Sequence, residues 1–549
     1  MAAMNTSDGL STVTVTSSPT TTTTSPTAFI VLLLALLIST ISIVFNNIKK
    51  RPSSKPIMAN LPPSPPSWPV IGNLPEVIRK KPVAFRWVHQ VMKELNTDIC
   101  LINIAGTNVV PVTDPAIARE MLKKQDAIFA QRPAFSVGSH GISGGHYMTT
   151  VVAPYDDHLT KMRKVFTSEI ISPARHKWLH EKRAEEADNL VFYVNNHSGA
   201  DKSVNLRLVT QHYCGNVIRK LMFSRRFFGD PTADGGPGPM EIDHVEAVFG
   251  ALKYLYSFSI SNYLPFLSGL DLDGQGKVIK EANKTLRYYQ DPIIDERIRQ
   301  WRSGERTVME DLTDVFVTLK DAQGNPLLSR EEITHQAAEI MIATVDNPSN
   351  AVEWALAEMI NNPELLAKAT AEIDRVVGKD RLVQESDLPS LNYVKACARE
   401  SFRLHPLAAF NVPHVAREDT VVAGYFIPKG SRALLSRYGL GRNPKVWADP
   451  LKFDPERHLQ SDEEVVLTEH DLRFISFSTG RRGCVGALLG SSITNMLLAR
   501  LIQCFSWAPP NGVEKIELRE AEDELLLANP LVASATPRLA PHLYPALAK

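Results

Sequence analysis

Cysteine is scarce in this 549-residue chain, and what there is does not pair: Cys100, Cys214, Cys397, Cys484 and Cys504 are five, an odd number, scattered and without a C-x-x-C. That excludes a disulfide framework or a zinc site and places the body of the chain in a reducing compartment. Net charge is lacking too. Lys and Arg total 60 against 60 Asp and Glu, with a pI near 7.3. The basic excess that phosphate neutralisation requires is absent, so a nucleic-acid partner is excluded. There is no repeat of fixed period, no Walker loop, no H-E-x-x-H, no G-x-S-x-G and no glycine-rich turn between strand and helix, which sets aside solenoids and the common phosphate, zinc-protease, hydrolase and dinucleotide sites. Asp271-Leu-Asp273-Gly274-Gln-Gly276 begins like a calcium loop but lacks its third acidic ligand and closing glutamate.

What is present is a 44% hydrophobic, globular composition with room for a large core. Residues 1–27 are small and polar with Asp8 the only charge, too poor in apolar groups to fold, and are expected to be a disordered lumenal tail. From Ala28 to Phe45 there is no charge, a run of about 18 residues, long enough to span a membrane. Lys49, Lys50, Arg51 and Lys55 follow it. Basic residues on that side alone place the tail in the lumen and the rest in the cytosol; of the Asn-x-Ser/Thr sequences only Asn5 would then be lumenal and a candidate glycosylation acceptor. We therefore expect a transmembrane anchor at 28–48, a basic, Pro-rich stalk at 49–80 whose prolines hold it extended, and one body at 81–549. Length alone would give about three or four domains at about 150 residues each, but no second composition break occurs. Helical periodicity runs over 337–360 and 363–377, and strand-like runs are short, 100–104 and 108–112, so the body is expected to be mainly α with small β-sheets.

Chemistry concentrates in Phe477-Ser478-Thr479-Gly480-Arg481-Arg482-Gly483-Cys484-Val485-Gly486, ahead of an apolar helical run. Neighbouring cations and the amides ahead of a helix N-terminus favour a thiolate, and Gly480 and Gly486 permit a tight turn and close approach to a flat ligand. The spacing resembles the haem-binding loop of cytochromes P-450, Phe-x-x-Gly-x-Arg-x-Cys-x-Gly. The resemblance makes Cys484 the axial ligand of the haem iron, Phe477 its shield from water and Arg482 a partner of a haem propionate. Glu400 and Arg403, at i and i+3, share a helix face and match the family's Glu-x-x-Arg; with Arg457 of Asp454-Pro455-Glu456-Arg457-His458 they imply a buried ionic triad that supports the cysteine loop. In Ala343-Thr344-Val345-Asp346-Asn347-Pro348-Ser349 the family's catalytic acid is kept as Asp346, while Asn347 stands where threonine is usual. Both are catalytic candidates. Pro348 lacks an N–H and clashes with the carbonyl of Thr344, so the helix is expected to open there and hold water near the iron.

Asn347-Pro348, the thiolate loop, Pro455-Glu456-Arg457-His458 and Phe410-Asn411-Val412-Pro413-His414-Val415-Ala416 together resemble the plant family-79 cytochromes P-450, and the likeness runs from the stalk to the C-terminus, through Phe129-Ala-Gln-Arg132-Pro133 and Ile170 to Trp178. The implied fold is that of a haem-thiolate cytochrome P-450 behind a single N-terminal transmembrane helix in the endoplasmic reticulum membrane. The implied reaction is two successive N-hydroxylations of an L-amino acid, giving the aldoxime with loss of CO2 and water, a first step toward cyanogenic glucosides or related defence compounds. Its cofactor is haem b, with O2 as co-substrate and electrons from NADPH through a membrane NADPH–cytochrome P-450 reductase, since no flavin or nicotinamide fold is present; aldoxime-metabolising enzymes follow as further partners. Leu159 departs from the family's propionate-contacting tryptophan, whereas Arg163 remains as a haem contact and His414 replaces an arginine as another. Lys161, Arg163, Lys164 and Arg481 form an expected docking face for an acidic partner. The pocket is expected between Pro133 and Val151, near Ala343, and at 407–412, where Leu407, Ala409 and Phe410 suit an apolar side chain. The likeness leans to the valine and isoleucine branch, with phenylalanine as the alternative. Two readings of other classes are a reductase-independent haem-thiolate dehydratase or isomerase, separated by NADPH and O2 dependence, and a non-catalytic membrane haem protein, separated by the absence of any spectral response to amino acids.

Overall fold

The computed structural model describes residues 60–81, 83–134, 136–138, 149–199, 202–255, 257–459 and 463–546. The expected tail, anchor and basic flank lie outside the described residues, as does 139–148 of the expected pocket loop. From Asn60 onward the chain is one compact unit, which moves the start of the body back from Lys81. The prolines of this segment lack N–H donors, but its carbonyls remain and accept from the body: Leu101 N donates to Pro63 O at 2.9 Å, Ala105 N to Ile71 O at 3.0 Å and Phe426 N to Asn60 O at 2.8 Å. A short helix, Leu74–Arg79, with proline in its first turn, completes the join.

The longer helices are α1 (Ala84–Glu94), α2 (Asp157–Val165), α3 (His180–Asn196), α4 (Leu206–Phe223), α5 (Pro239–Leu255), α6 (Gln275–Ser303), α7 (Arg330–Asn361), α8 (Pro363–Val376), α9 (Asn392–Leu404) and α10 (Ala487–Cys504). Ser329 and Glu332 start α7 with a reciprocal capping box. Its 32 residues are buried on nearly every face, as befits a helix through the middle of a large body, and it packs against α4, α6, α9 and α10. Fully buried side chains such as Trp354 on it each contribute about 1.5–3 kcal/mol.

The expected opening at Pro348 does not occur: α7 runs unbroken through it. Hydroxyls beside the proline bond the ladder carbonyls, Thr344 Oγ1 to Ile340 O at 2.8 Å and Ser349 Oγ to Val345 O at 2.7 Å, and packing holds both halves, so the lost N–H does not separate them.

The strands are short. The largest sheet has the order β1 (Ile102–Ile104), β2 (Thr107–Val112), β7 (Arg432–Leu435), β4 (His414–Val415), with Val109 parallel to Arg432 and His414 antiparallel to Ala433. β3 (Val204–Asn205), β9 (Val532–Pro537) and β8 (Phe505–Ala508) form a second sheet, and β5 (Thr420–Val422) pairs with β6 (Tyr425–Ile427). Among the described residues only α10 is long and apolar enough to cross a membrane; 72% of it is buried inside the body, which makes it a core helix.

Candidate active site

The loop before α10 is held by its own backbone. Cys484 N donates to Phe477 O at 2.8 Å and Gly483 N to Gly480 O at 3.0 Å, while Ser478 and Gly480 turn the chain at φ 58° and 70°. A Cβ on Gly480 would lie 2.4 Å from Leu122 O, so both conformation and close approach demand glycine there. The Cys484 side chain is accessible although it lies deep enough for desolvation to govern its titration. Ala343 is exposed in the middle of buried α7. Accessible atoms at such depth open on an interior space, as a sulfur facing a flat macrocycle requires. Burial pushes the Cys484 thiol up, against the Gly486 N–H, Arg437 and Arg163, which favour the thiolate. Neighbours alone therefore do not make the thiolate expected from the sequence; a coordinated metal cation deprotonates such a thiol outright.

Two buried nitrogens near this space have no partner. His414 Nδ1 donates to Phe129 O at 2.8 Å, leaving Nε2 unpaired, and Arg437 Nε is unpaired as well. Buried polar atoms left this way are costly, and both suit the propionates of a haem. Burial and then Arg132 bring His414 down to about 3; a carboxylate against Nε2 would favour the doubly protonated ring. Arg482 donates to Ala130 O (2.6 Å), Thr150 O (3.2 Å) and Ala153 O (2.6 Å), tying the loop to 130 and 150–153. Arg163 donates to Gly483 O at 3.0 Å, and Leu159 is buried. The donor set and the accessible sulfur fit a haem.

Glu400 and Arg403 are fully buried. Arg403 Nε and Nη2 meet the Glu400 carboxylate at 2.8 and 2.6 Å, and Arg457 Nε joins at 3.1 Å. His458 Nε2 adds a fourth member at 2.8 Å; its only sequence signal is a histidine where the family pattern has phenylalanine. Burial raises the Glu400 carboxyl, but Arg403 and His458 outweigh it and hold the group below the usual range. From the same helix, Phe402 packs edge-on against Phe477 with centroids 5.8 Å apart, linking the ionic cluster to the cysteine loop.

A cavity of about 610 Å³ is walled by Asp346, Leu407, Ala409 and Phe410, with α5 opposite, within the usual size of ligand sites. Burial, aided by Glu524 and opposed by Arg437, pushes the Asp346 carboxyl up to about 7, and its Oδ1 has no partner. Ala343 and Asn347 are not among its wall residues. Asn347 instead lines a recess of about 10 Å³ with Asn350 and His405, where Asn350 Oδ1 and His405 Nδ1 are unpaired; this is space and polarity for one water. Arg437 escaped sequence reasoning, as did Glu339, which accepts from Thr150 N at 2.6 Å and Val151 N at 2.7 Å; both act through contacts that no local spacing reveals. Of the four expected docking cations, Lys161 pairs with Glu332 at 2.7 Å, Arg481 with Asp126, and Arg163 holds the loop.

A fold of this kind, with a lone accessible cysteine ahead of a core helix and an ionic cluster behind it, defines the haem-thiolate class. The family model for cytochrome P-450 matches residues 62–533. Two relatives from Manihot esculenta are 64% identical: valine N-monooxygenase 1 over 509 residues, 93% of each chain, and valine N-monooxygenase 2 over 545 residues, 99% of each. Phenylalanine N-monooxygenase of Arabidopsis thaliana is 53% identical over 500 residues, 90% of this chain and 92% of its own. A zebra fish cytochrome P-450 solved with progesterone superposes with TM-score 0.67 at 22% identity, covering 82% of this chain and 99% of that one; it shares the fold. The chain belongs to the cytochrome P-450 family, in its family-79 branch. It is a monooxygenase with haem as cofactor, dependent on NADPH and O2, and it uses a redox partner and a substrate. The dehydratase and non-catalytic readings fall away.

Proposed function

We propose that the substrate is a free L-amino acid, hydroxylated twice on nitrogen and released as its aldoxime with loss of CO2 and water. The observation that carries this is the cavity in which an unpaired carboxyl of raised pKa, Asp346, meets the apolar Leu407, Ala409 and Phe410, in a chain most of whose length is 64% identical to valine enzymes. Valine or isoleucine is favoured over phenylalanine, whose named enzyme stands at 53%.

Haem supplies oxygen activation; the chain does the rest. Cys484 would ligate the iron and His414 and Arg437 would meet the propionates, while Phe477, Gly480, Gly486, Arg482 and Arg163 shape and brace the loop. Glu400, Arg403 and Arg457, joined by His458, hold the loop in register. An α-ammonium has no lone pair, so the substrate must lose a proton before its nitrogen reacts. Asp346, with ordered water, takes that proton; Asn347, off the cavity wall, has no contact among the described residues that joins it to this step.

Residues 28–48 anchor the protein once in the endoplasmic reticulum membrane, with 1–27 lumenal and the body cytosolic. An apolar rim supports this: Trp68 and Val70 are each 59% exposed and Phe266 is 80% exposed, and Lys81 and Asp273, at 3.3 Å, join the two segments that carry it. Electrons come from NADPH–cytochrome P-450 reductase, and the aldoxime passes to enzymes of cyanogenic glucoside or related synthesis. Expression with reductase in microsomes, fed each proteinogenic amino acid, should yield one dominant oxime by mass, from valine or isoleucine, only with NADPH and O2; no oxime from any of them would overturn the reading.

A further inference from the structure

One wall of the cavity carries an ion pair that this reaction scheme leaves unused. Lys253, near the end of α5, reaches Asp523 Oδ2 at 2.9 Å and Glu524 Oε1 at 3.1 Å, on the hairpin closed by the Glu520–Leu527 bridge. All three line the cavity, and their side chains are 41%, 33% and 27% exposed, so a ligand can reach them. Two carboxylates on one ammonium leave a net negative charge beside a positive one. A free amino acid presents the complementary pair of opposite charges on neighbouring atoms. We propose that Lys253 and Glu524 clamp the zwitterionic head of the substrate, Lys253 taking its carboxylate and Glu524 its α-ammonium, while Asp523 keeps Lys253 in place.

Lys253 is paired too, but it is exposed, whereas the other cations on the cavity wall are both occupied and at least partly buried. Arg132 donates to Val151 O, Val412 O and Pro413 O, Arg432 donates to Asn262 O and lies over Tyr263, and Lys81 is paired with Asp273. Glu524 rather than Asp523 is assigned to the nitrogen because its contact to Lys253 is the longer of the two and because its charge is felt by Asp346 on α7. Asp346 lines the same cavity, so a nitrogen held by Glu524 shares that space with the acid that receives its proton, and the clamp selects amino acids over amines and acids of the same shape.

The inference rests on the amino-acid N-hydroxylase reading, and its test separates the two. Purified full-length holoenzyme is titrated with L-valine, with isobutylamine, which lacks the carboxylate, and with isovalerate, which lacks the amine, following the shift of the haem absorbance. Glu524→Gln should weaken L-valine and isobutylamine at least about tenfold, about 1.4 kcal/mol, and leave isovalerate within about twofold. Lys253→Met should weaken L-valine and isovalerate and spare isobutylamine. Should Glu524→Gln fail to hold haem, Glu524→Asp and Asp523→Asn carry the test, both weakening L-valine by less than Lys253→Met does. Wild-type response to L-valine with unchanged affinity in the variants, or with both analogues weakened alike, overturns the clamp alone. No response of the wild type to any amino acid overturns the function reading and the clamp with it.

Discussion

Glu400 and Asp346 are both buried carboxyls on helices, yet their surroundings drive them in opposite directions. Glu400 is bonded by Arg403, Arg457 and His458. Glu400→Gln would leave Arg403, fully buried, with an uncompensated charge, at a cost of about 3 to 5 kcal/mol; denaturant unfolding should show that loss, with haem released earlier than in the wild type. Because the folded-state value of Glu400 lies below the usual range, its contribution is present at neutral pH and is lost as pH falls below the ordinary carboxylate region through that lower value, so the variant's acid limb should be shallower. Asp346 behaves inversely. Its carboxyl is raised to about 7, so the folded state binds the proton more tightly, and stability falls as pH rises from about 4 toward about 7. Asp346→Asn should remove that slope in pH-dependent unfolding. It should also lower oxime formed per NADPH consumed; unchanged coupling would take the proton-accepting role away from Asp346.

At the scale of elements, the decisive piece is α7 and what its proline does. An interior proline costs about 3 kcal/mol relative to alanine, but here the neighbouring hydroxyls and tight packing keep the helix unbroken. Pro348→Ala should therefore raise the unfolding midpoint while lowering coupling, because the added N–H would engage the Thr344 carbonyl that the proline leaves unbonded. A variant both more stable and equally coupled would show the proline to be packing alone. This helix also marks how far the sequence could be read. The cysteine loop and Glu400 with Arg403 were legible because a few residues at fixed spacing carry them, and the helical stretch near 337–360 because its pattern is long. The predicted break failed because a local rule lost to contacts along the whole helix. Arg437, Glu339 and the Lys253–Glu524 pair were invisible because each acts on a group far away in the chain with no motif of fixed spacing around it.

For the whole molecule, the question is where the anchor ends and the folded body begins. The chain from Asn60 gives carbonyls to Leu101, Ala105 and Phe426 and seats Leu74 and Val77 in one apolar cluster with Ile102 and Ile104. Removing residues 1–59 cuts none of these contacts. The shortened protein should hold haem, show the same spectral response to L-valine and be extracted from membranes by alkaline carbonate, with weak residual binding through the rim at Trp68, Val70 and Phe266. Removing residues 1–80 strips Leu74 and Val77 from the cluster, and with two buried side chains worth about 1.5–3 kcal/mol each the loss should total several kcal/mol, against a typical domain stability of about 5–15 kcal/mol. Thermal unfolding of the two truncations decides the boundary. A chain beginning at Lys81 as stable as one beginning at Asn60 would restore the idea of a free stalk, and carbonate-resistant membrane retention of the Asn60 form would move the anchor out of residues 28–48. The predicted pattern, full stability with lost membrane retention for one and lost stability for the other, requires the apolar run to hold the membrane and the proline segment to hold the sheet.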